Sequence, residues 1–196
     1  MAKHKHEKSK HENTENKEQK EEKPKIIVNA VFTGEIIFSN KQEAFALYEQ
    51  SRFGEPKDGK IYYSFCEALY LVDKGRMILI EKKKQISFEK LLRELRKHDI
   101  KIETKYPVFR DMRDRGYIVK TALKFGAEFR VYDKGIKPGE NHAKWVLFPV
   151  RESDSLTWHD FSAKNRVAHS TRKNLLIGIV DDENEVTYYQ IEWVRP

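Results

Sequence analysis

The chain holds a single cysteine, Cys66, among its 196 residues. No intrachain disulfide can form, and a reducing setting, the cytoplasm, is the expected compartment. Cys66 closes the apolar run Ile61-Tyr62-Tyr63-Ser64-Phe65-Cys66 and reads as a buried core thiol rather than a nucleophile. No stretch approaches the roughly 20 apolar residues that a bilayer span requires. The charged N-terminus lacks the apolar centre of a secretory signal. A dominant block of one charge sign is also missing: the formal charge of +7 is spread along the chain. A mild basic excess favours contact with a polyanion, since each neutralised phosphate releases counterions. It describes an ordinary lysine-bearing surface equally well.

Apolar residues are scarce only at the start. Residues 1–25 carry eight Lys and six Glu, so Met1–Pro24 reads as a disordered charged tail, unable to bury enough surface to offset its ordering entropy. His4, His6 and His11 fall in this tract, where solvated low-complexity sequence is the default over metal binding. Beyond it, hydrophobic clusters recur often enough for a core. Ile26–Phe32 and Ile36–Phe38 read as strands around the turn Thr33-Gly34-Glu35, and Lys41–Gln50 as a helix. Gly54, Pro56 and Gly59 mark a loop. Ser64 and Glu67 stand at capping-box spacing before a helix that Gly75 ends. Met77–Ile80 returns as a strand, and Ser87 caps a helix with Phe88, Leu91, Leu92 and Leu95 on one face.

A helix over Pro107–Arg115, mostly of solvent-facing types, is expected to bridge to a second unit. There, strands are expected at Tyr117–Val119, Ala127–Asp133, Ala143–Val150, Asn174–Val180 and Val186–Val194, with one helix at Thr157–Arg172. The fold class is α+β: a small N-terminal α/β unit over residues 26–103, then a C-terminal mixed β-sheet with a packed helix over 104–196.

Three residues at element ends could converge at a sheet rim: Tyr132, His142 and Lys173. These residue types are common, and unrelated surface positions remain an open reading. His169, four residues before Lys173, suits packing or a structural hydrogen bond better than catalysis, while His98 and His159 read as surface residues.

Two longer runs narrow the choice. Arg115-Gly116-Tyr117-Ile118-Val119-Lys120-Thr121-Ala122-Leu123-Lys124-Phe125-Gly126-Ala127-Glu128-Phe129-Arg130-Val131-Tyr132 resembles the signature of the tRNA-intron endonucleases. So does Arg166-Val167-Ala168-His169-Ser170-Thr171-Arg172-Lys173-Asn174-Leu175-Leu176-Ile177-Gly178-Ile179-Val180-Asp181. The steps of ten from Tyr132 to His142 and of 31 from His142 to Lys173 agree with the single-gene archaeal form. Ser64–Leu71 and Ser87–Leu91 resemble the first unit of that family more loosely.

The resemblance implies a restriction-endonuclease-like nuclease domain as the second unit. It also implies cleavage of precursor tRNA at bulge–helix–bulge splice sites by attack of the ribose 2′-OH, leaving a 2′,3′-cyclic phosphate and a 5′-OH without a metal or other cofactor. Tyr132 would be the base, His142 the acid and Lys173 the charge stabiliser. The last two assignments suit ordinary side-chain chemistry: imidazole titrates near pH 6.5 and an ammonium offsets growing negative charge. A free phenol, with a pKa of about 10, needs a nearby cation to be lowered, and Lys173 is the expected one.

Arg166 and Arg195 resemble the family arginines that stack on bulge bases, a salt bridge to a helix neighbour being the alternative for Arg166. A homotetramer, a dimer of dimers, is implied as well. In it the acidic turn bearing Asp181, Asp182, Glu183 and Glu185 would enter a basic pocket on another subunit, and the aromatic last strand would pair with its copy. A non-catalytic structural subunit and a pure RNA-binding module stand as alternatives. The sequence offers no spaced Asp…Glu-x-Lys set of the kind a metal-dependent restriction-like nuclease uses.

Overall fold

A computed structural model describes residues 25–122 and 126–194. The charged tail Met1–Pro24 and Arg195 lie outside the described residues, as do the readings placed on them.

The N-terminal unit contains β1 (Val28–Phe32), β2 (Ile37–Ser39), α1 (Gln42–Ser51), β3 (Glu55–Lys57), β4 (Lys60–Tyr63), α2 (Phe65–Asp73), β5 (Met77–Glu81), β6 (Lys84–Gln85) and α3 (Phe88–Arg96). Its sheet runs β3-β4-β2-β1-β5-β6, with β1 and β5 parallel and the other pairs antiparallel. Period-two burial in β1 follows from its alternating apolar residues: Val28, Ala30 and Phe32 face inward. The expected loop at Gly54–Gly59 is instead a hairpin. Asp58 (φ 49°) and Gly59 (φ 70°) form a tight two-residue turn suited to the strand twist. Pro56 is tolerated because β3 is an edge strand.

Helix α4 (Ile102–Asp114) starts five residues before the expected Pro107 and carries that proline in its interior. Proline has no N–H for the carbonyl of Glu103, four residues back. Arg151 supplies the missing donor, its Nη2 lying 3.3 Å from that oxygen. The helix is also less exposed than expected, since Met112 is buried beside Val108 and Phe109.

The second sheet comprises β7 (Ile118–Thr121), β8 (Phe129–Tyr132), β9 (Trp145–Arg151), β10 (Asn174–Val180) and β11 (Val186–Ile191), in the order β11-β10-β9-β8-β7. Only β9 and β10 are parallel, and α5 (Trp158–Ser170) connects them. A small apolar cluster of Val146, Phe148, Leu175 and Ile177 packs with Ala168 of α5. The mixed α+β architecture is therefore as expected. The main core is shared between the two sheets. Phe109 of α4 sits with its ring 6.0 Å from Tyr70 of α2 and 5.8 Å from Phe129 of β8. The expected division at 103/104 falls inside α4 and separates sheets rather than cores.

A buried ion pair crosses the same boundary. Glu67 closes the capping box with Ser64, as its spacing indicates. Its other oxygen accepts from Lys120 Nζ of β7 at 2.8 Å and from the Gly54 N–H at 2.9 Å. Lys120 Nζ also donates to the Gly54 carbonyl at 2.6 Å. Gly54 (φ +76°) must be glycine, because a Cβ there would lie 2.3 Å from Ile61 Cγ2. Burial pushes the Glu67 carboxyl up, but the Lys120 ammonium and hydrogen bonds from Lys120, Ser64 and Gly54 outweigh this and hold it below the usual carboxylate range. Its contribution to stability is then present above the unfolded-state value and is lost as pH falls through the folded one. Glu67→Gln should destabilise the protein by about 3–5 kcal/mol in urea unfolding at neutral pH. The gap from the parent should narrow in acid; a gap constant from neutral pH into acid would count against the pair.

Candidate active site

Tyr132, His142 and Lys173 line one cavity of about 330 Å³, together with Arg130, Gly139, Glu140, Asn141 and Ala143. A larger cavity, about 820 Å³, lies elsewhere, between the α3–α4 turn and the β9–β11 face. Chemistry rather than size marks the smaller one.

Each of the three is brought to the rim by a local device. Tyr132 is the last residue of β8, in a strand whose register against β9 pairs Val131 with Trp145. The loop that follows carries Gly135 (φ 82°) and Gly139 (φ 95°) and returns the chain to β9. His142 stands exposed on that return, where its N–H donates to Asn141 Oδ1 at 2.7 Å. Lys173 follows a helix C-terminus in the Schellman arrangement: Arg172 adopts the left-handed conformation (φ 54°), its N–H reaches the His169 carbonyl, and the Lys173 N–H reaches that of Ala168. The parallel pairing of Asn174 with Trp145 then sets Lys173 beside the end of β9. Lys173 Nζ donates to the Thr171 carbonyl at 2.8 Å.

The electrostatics differ from expectation. Tyr132 is only 5% exposed. Burial pushes its phenol up; the Arg130 guanidinium pulls it down and the Glu55 carboxylate pushes it up again, leaving it above its ordinary value. The cation working against burial is therefore Arg130, where Lys173 was expected. Arg130 is the residue that sequence reasoning missed, although a visible signal existed: positions 130 and 132 share a strand face.

Arg166 is exposed on α5 and forms no ion pair among the described residues, so the salt bridge weighed for it is absent there. His169 packs its ring 5.0 Å from that of Trp193, and both line a neighbouring cavity of about 370 Å³ with Lys173. His98 and His159 are exposed and lie away from both cavities. Cys66 is buried, and burial pushes its thiol well above the ordinary range, against any role as a nucleophile. The acidic turn is held from below by Arg151, whose Nη1 donates to the Asp181 carbonyl at 3.2 Å, while Asp182, Glu183 and Glu185 are exposed.

Family comparison gives this geometry its class. Residues 102–188 match the model of the tRNA intron endonuclease catalytic C-terminal domain, and residues 28–92 match that of the N-terminal domain. The molecule is thus an RNA-cleaving enzyme, a tRNA-intron lyase. The tRNA-splicing endonuclease of Thermococcus onnurineus is 43% identical over 164 residues, covering 83% of this chain and 94% of that protein. That of Pyrococcus abyssi is 39% identical over 172 residues, covering 87% and 99%. That of Methanothermobacter thermautotrophicus is 39% identical over 150 residues, covering 76% and 87%. The chain belongs to the tRNA-splicing endonuclease family.

Arg172 bears a left-handed backbone that costs a non-glycine residue about 1 kcal/mol. Arg172→Gly should raise the thermal midpoint correspondingly; a fall would show that the guanidinium has a structural role of its own.

Proposed function

We propose that the chain excises introns from precursor tRNA at bulge–helix–bulge splice sites, with Tyr132, His142 and Lys173 as its catalytic residues. The observation that carries this reading is their convergence on one cavity from three separate elements. RNA brings its own nucleophile. Tyr132 accepts the proton of the ribose 2′-OH as that oxygen attacks phosphorus. Lys173 offsets the negative charge that accumulates on the phosphorane. His142 protonates the 5′-oxygen as its bond to phosphorus breaks, leaving a 2′,3′-cyclic phosphate and a 5′-OH. The proton taken at one end is matched by the proton delivered at the other, so the scheme calls for neither a metal ion nor a cofactor.

Unpaired bulge nucleotides can be splayed out and stacked on planar groups. Arg166, exposed and without an ion pair among the described residues, has a guanidinium available for this task. Arg195 is proposed as its companion on family resemblance alone. Cutting at two bulges calls for two sites at fixed separation, which a symmetric oligomer provides. The edge strand β11 offers a surface for pairing with its copy, with Tyr189 56% exposed. The acidic turn serves as the contact between dimers, in a cytoplasmic homotetramer.

Incubation with a bulge–helix–bulge RNA in EDTA, followed by end-group analysis, tests the chemistry. Full cutting with cyclic-phosphate and 5′-OH ends is expected, and Tyr132→Phe should slow it about 10²- to 10⁴-fold while RNA binding persists. Undiminished turnover in Tyr132→Phe, or cutting that EDTA abolishes and Mg²⁺ restores, would defeat the scheme. For the assembly, Asp182, Glu183 and Glu185 are each changed to Lys while Asp181 is kept, because its Oδ1 accepts from the Glu185 N–H at 2.8 Å and shapes the turn. Light scattering should then report dimers in place of tetramers; an unchanged mass would discard the contact.

A further inference from the structure

We propose that Arg130 is a positioning residue for Tyr132, and that Glu55 of the N-terminal unit competes with the phenol for its guanidinium. The inference rests on the reading of Tyr132 as the base and adds a control exerted from the other sheet.

Arg130 and Tyr132 are two apart on β8 and so share a face. The guanidinium carbon lies 6.0 Å from the centre of the Tyr132 ring, and both residues line the cavity. Arg130 is loosely held. Its Nε is buried and donates to no acceptor among the described residues. Its ion-pair partner there is Glu55, with Nη2 3.7 Å from Oε1, beyond hydrogen-bonding reach. Glu55 sits on the edge strand β3 with its side chain 61% exposed. A guanidinium with an unused donor, near a phenol and an exposed surface carboxylate, can be drawn toward either.

Other charged groups stand near the phenol. Glu140, His142 and Lys173 line the same cavity. Asp133 and Lys144 are paired with each other at 2.8 Å, and Lys134 lies over the Tyr117 ring at 5.1 Å. On the phenol, Arg130 and Glu55 act in opposite senses, the first favouring the phenolate and the second opposing it.

That opposition has a kinetic signature. An imidazole titrates below a phenol. The reactive pair, phenolate with imidazolium, is then a constant minor fraction between the two values. The rate forms a plateau whose height tracks the acidity of Tyr132, and whose alkaline limb marks that acidity directly. Single-turnover cleavage at saturating bulge–helix–bulge RNA is followed against pH for Arg130→Met, Arg130→Lys and Glu55→Gln. Tyrosinate absorbance without RNA, referenced to Tyr132→Phe, provides an independent readout.

Arg130→Met should lower the plateau about tenfold and move the limb about one pH unit upward, with Arg130→Lys between it and the parent. Glu55→Gln should raise the plateau about two- to threefold and move the limb downward. Changes of the same sign in both, or limbs and tyrosinate titrations that stay in place, would overturn the inference. If Arg130→Met does not fold, Glu55→Gln decides alone, because its exposed side chain makes no hydrogen bond among the described residues. Parent-like cutting by Tyr132→Phe would remove the base assignment itself. An inactive Tyr132→Phe beside an unresponsive Glu55→Gln would remove only the positioning role.

Discussion

Between the two sheets, a carboxylate and an ammonium meet out of contact with water. Glu67 of α2 and Lys120 of β7 are each under 5% exposed, and every oxygen and nitrogen involved is used: Ser64, Gly54 and Lys120 donate, and the Gly54 carbonyl accepts. Such a pair gains little over a well-packed apolar substitute, but its geometry is exacting, because either charge left alone would be heavily penalised. Only one placement of β7 against α2 and the Gly54 loop satisfies it. β7 pairs with β8, and β8 carries Arg130 and Tyr132. The register of β8 is thus referred to the N-terminal unit by an interaction that tolerates little slack.

Helix α4 reinforces the arrangement from the other side. Phe109 packs within the shared core against a ring from each unit, Tyr70 of α2 and Phe129 of β8. Arg151 ties the carbonyl that Pro107 leaves open to the end of β9 and to the turn at Asp181. The surface that holds the acidic turn and the rim that holds the three polar residues therefore belong to one mechanical body. Glu55 fits the same logic. β3 is exposed at all three of its residues while β4 buries Ile61 and Tyr63 in the core, and the outer strand reaches the guanidinium beside Tyr132. Division of the chain into two sheets does not isolate the chemistry in the second.

Much of this was legible from local signals. Ser64 and Glu67 announce a helix start, because a hydroxyl and a carboxylate three apart satisfy two backbone N–H groups reciprocally. Period-two burial in β1 and the long apolar β10 follow from their residues. The Tyr132, His142 and Lys173 trio was legible through the two long runs around it, more than through the residue types. Other features were hidden. Pro107 reads as a helix start because proline suits a first turn; that the helix extends past it depends on Arg151, 44 residues away. Gly54, Pro56 and Gly59 read as a loop because glycine and proline usually punctuate, and the strand emerges only through pairing with β4. The expected cation for Tyr132 was Lys173, and Arg130 holds that place because β8 presents both side chains to one cavity.

By itself the sequence determined the class of fold, the order of most of its elements, the caps of α2 and α3, and the kinds of chemical group available. Periodicity and capping are decided within a few residues, so they survive in one dimension. Only the tertiary structure decided that Glu67 has a second duty beyond its helix, that the two sheets share a core, and which charges stand near the phenol. Burial and proximity arise from residues far apart in the chain. Their electrostatic effects depend on distances and on excluded water, neither of which has any counterpart in the order of amino acids.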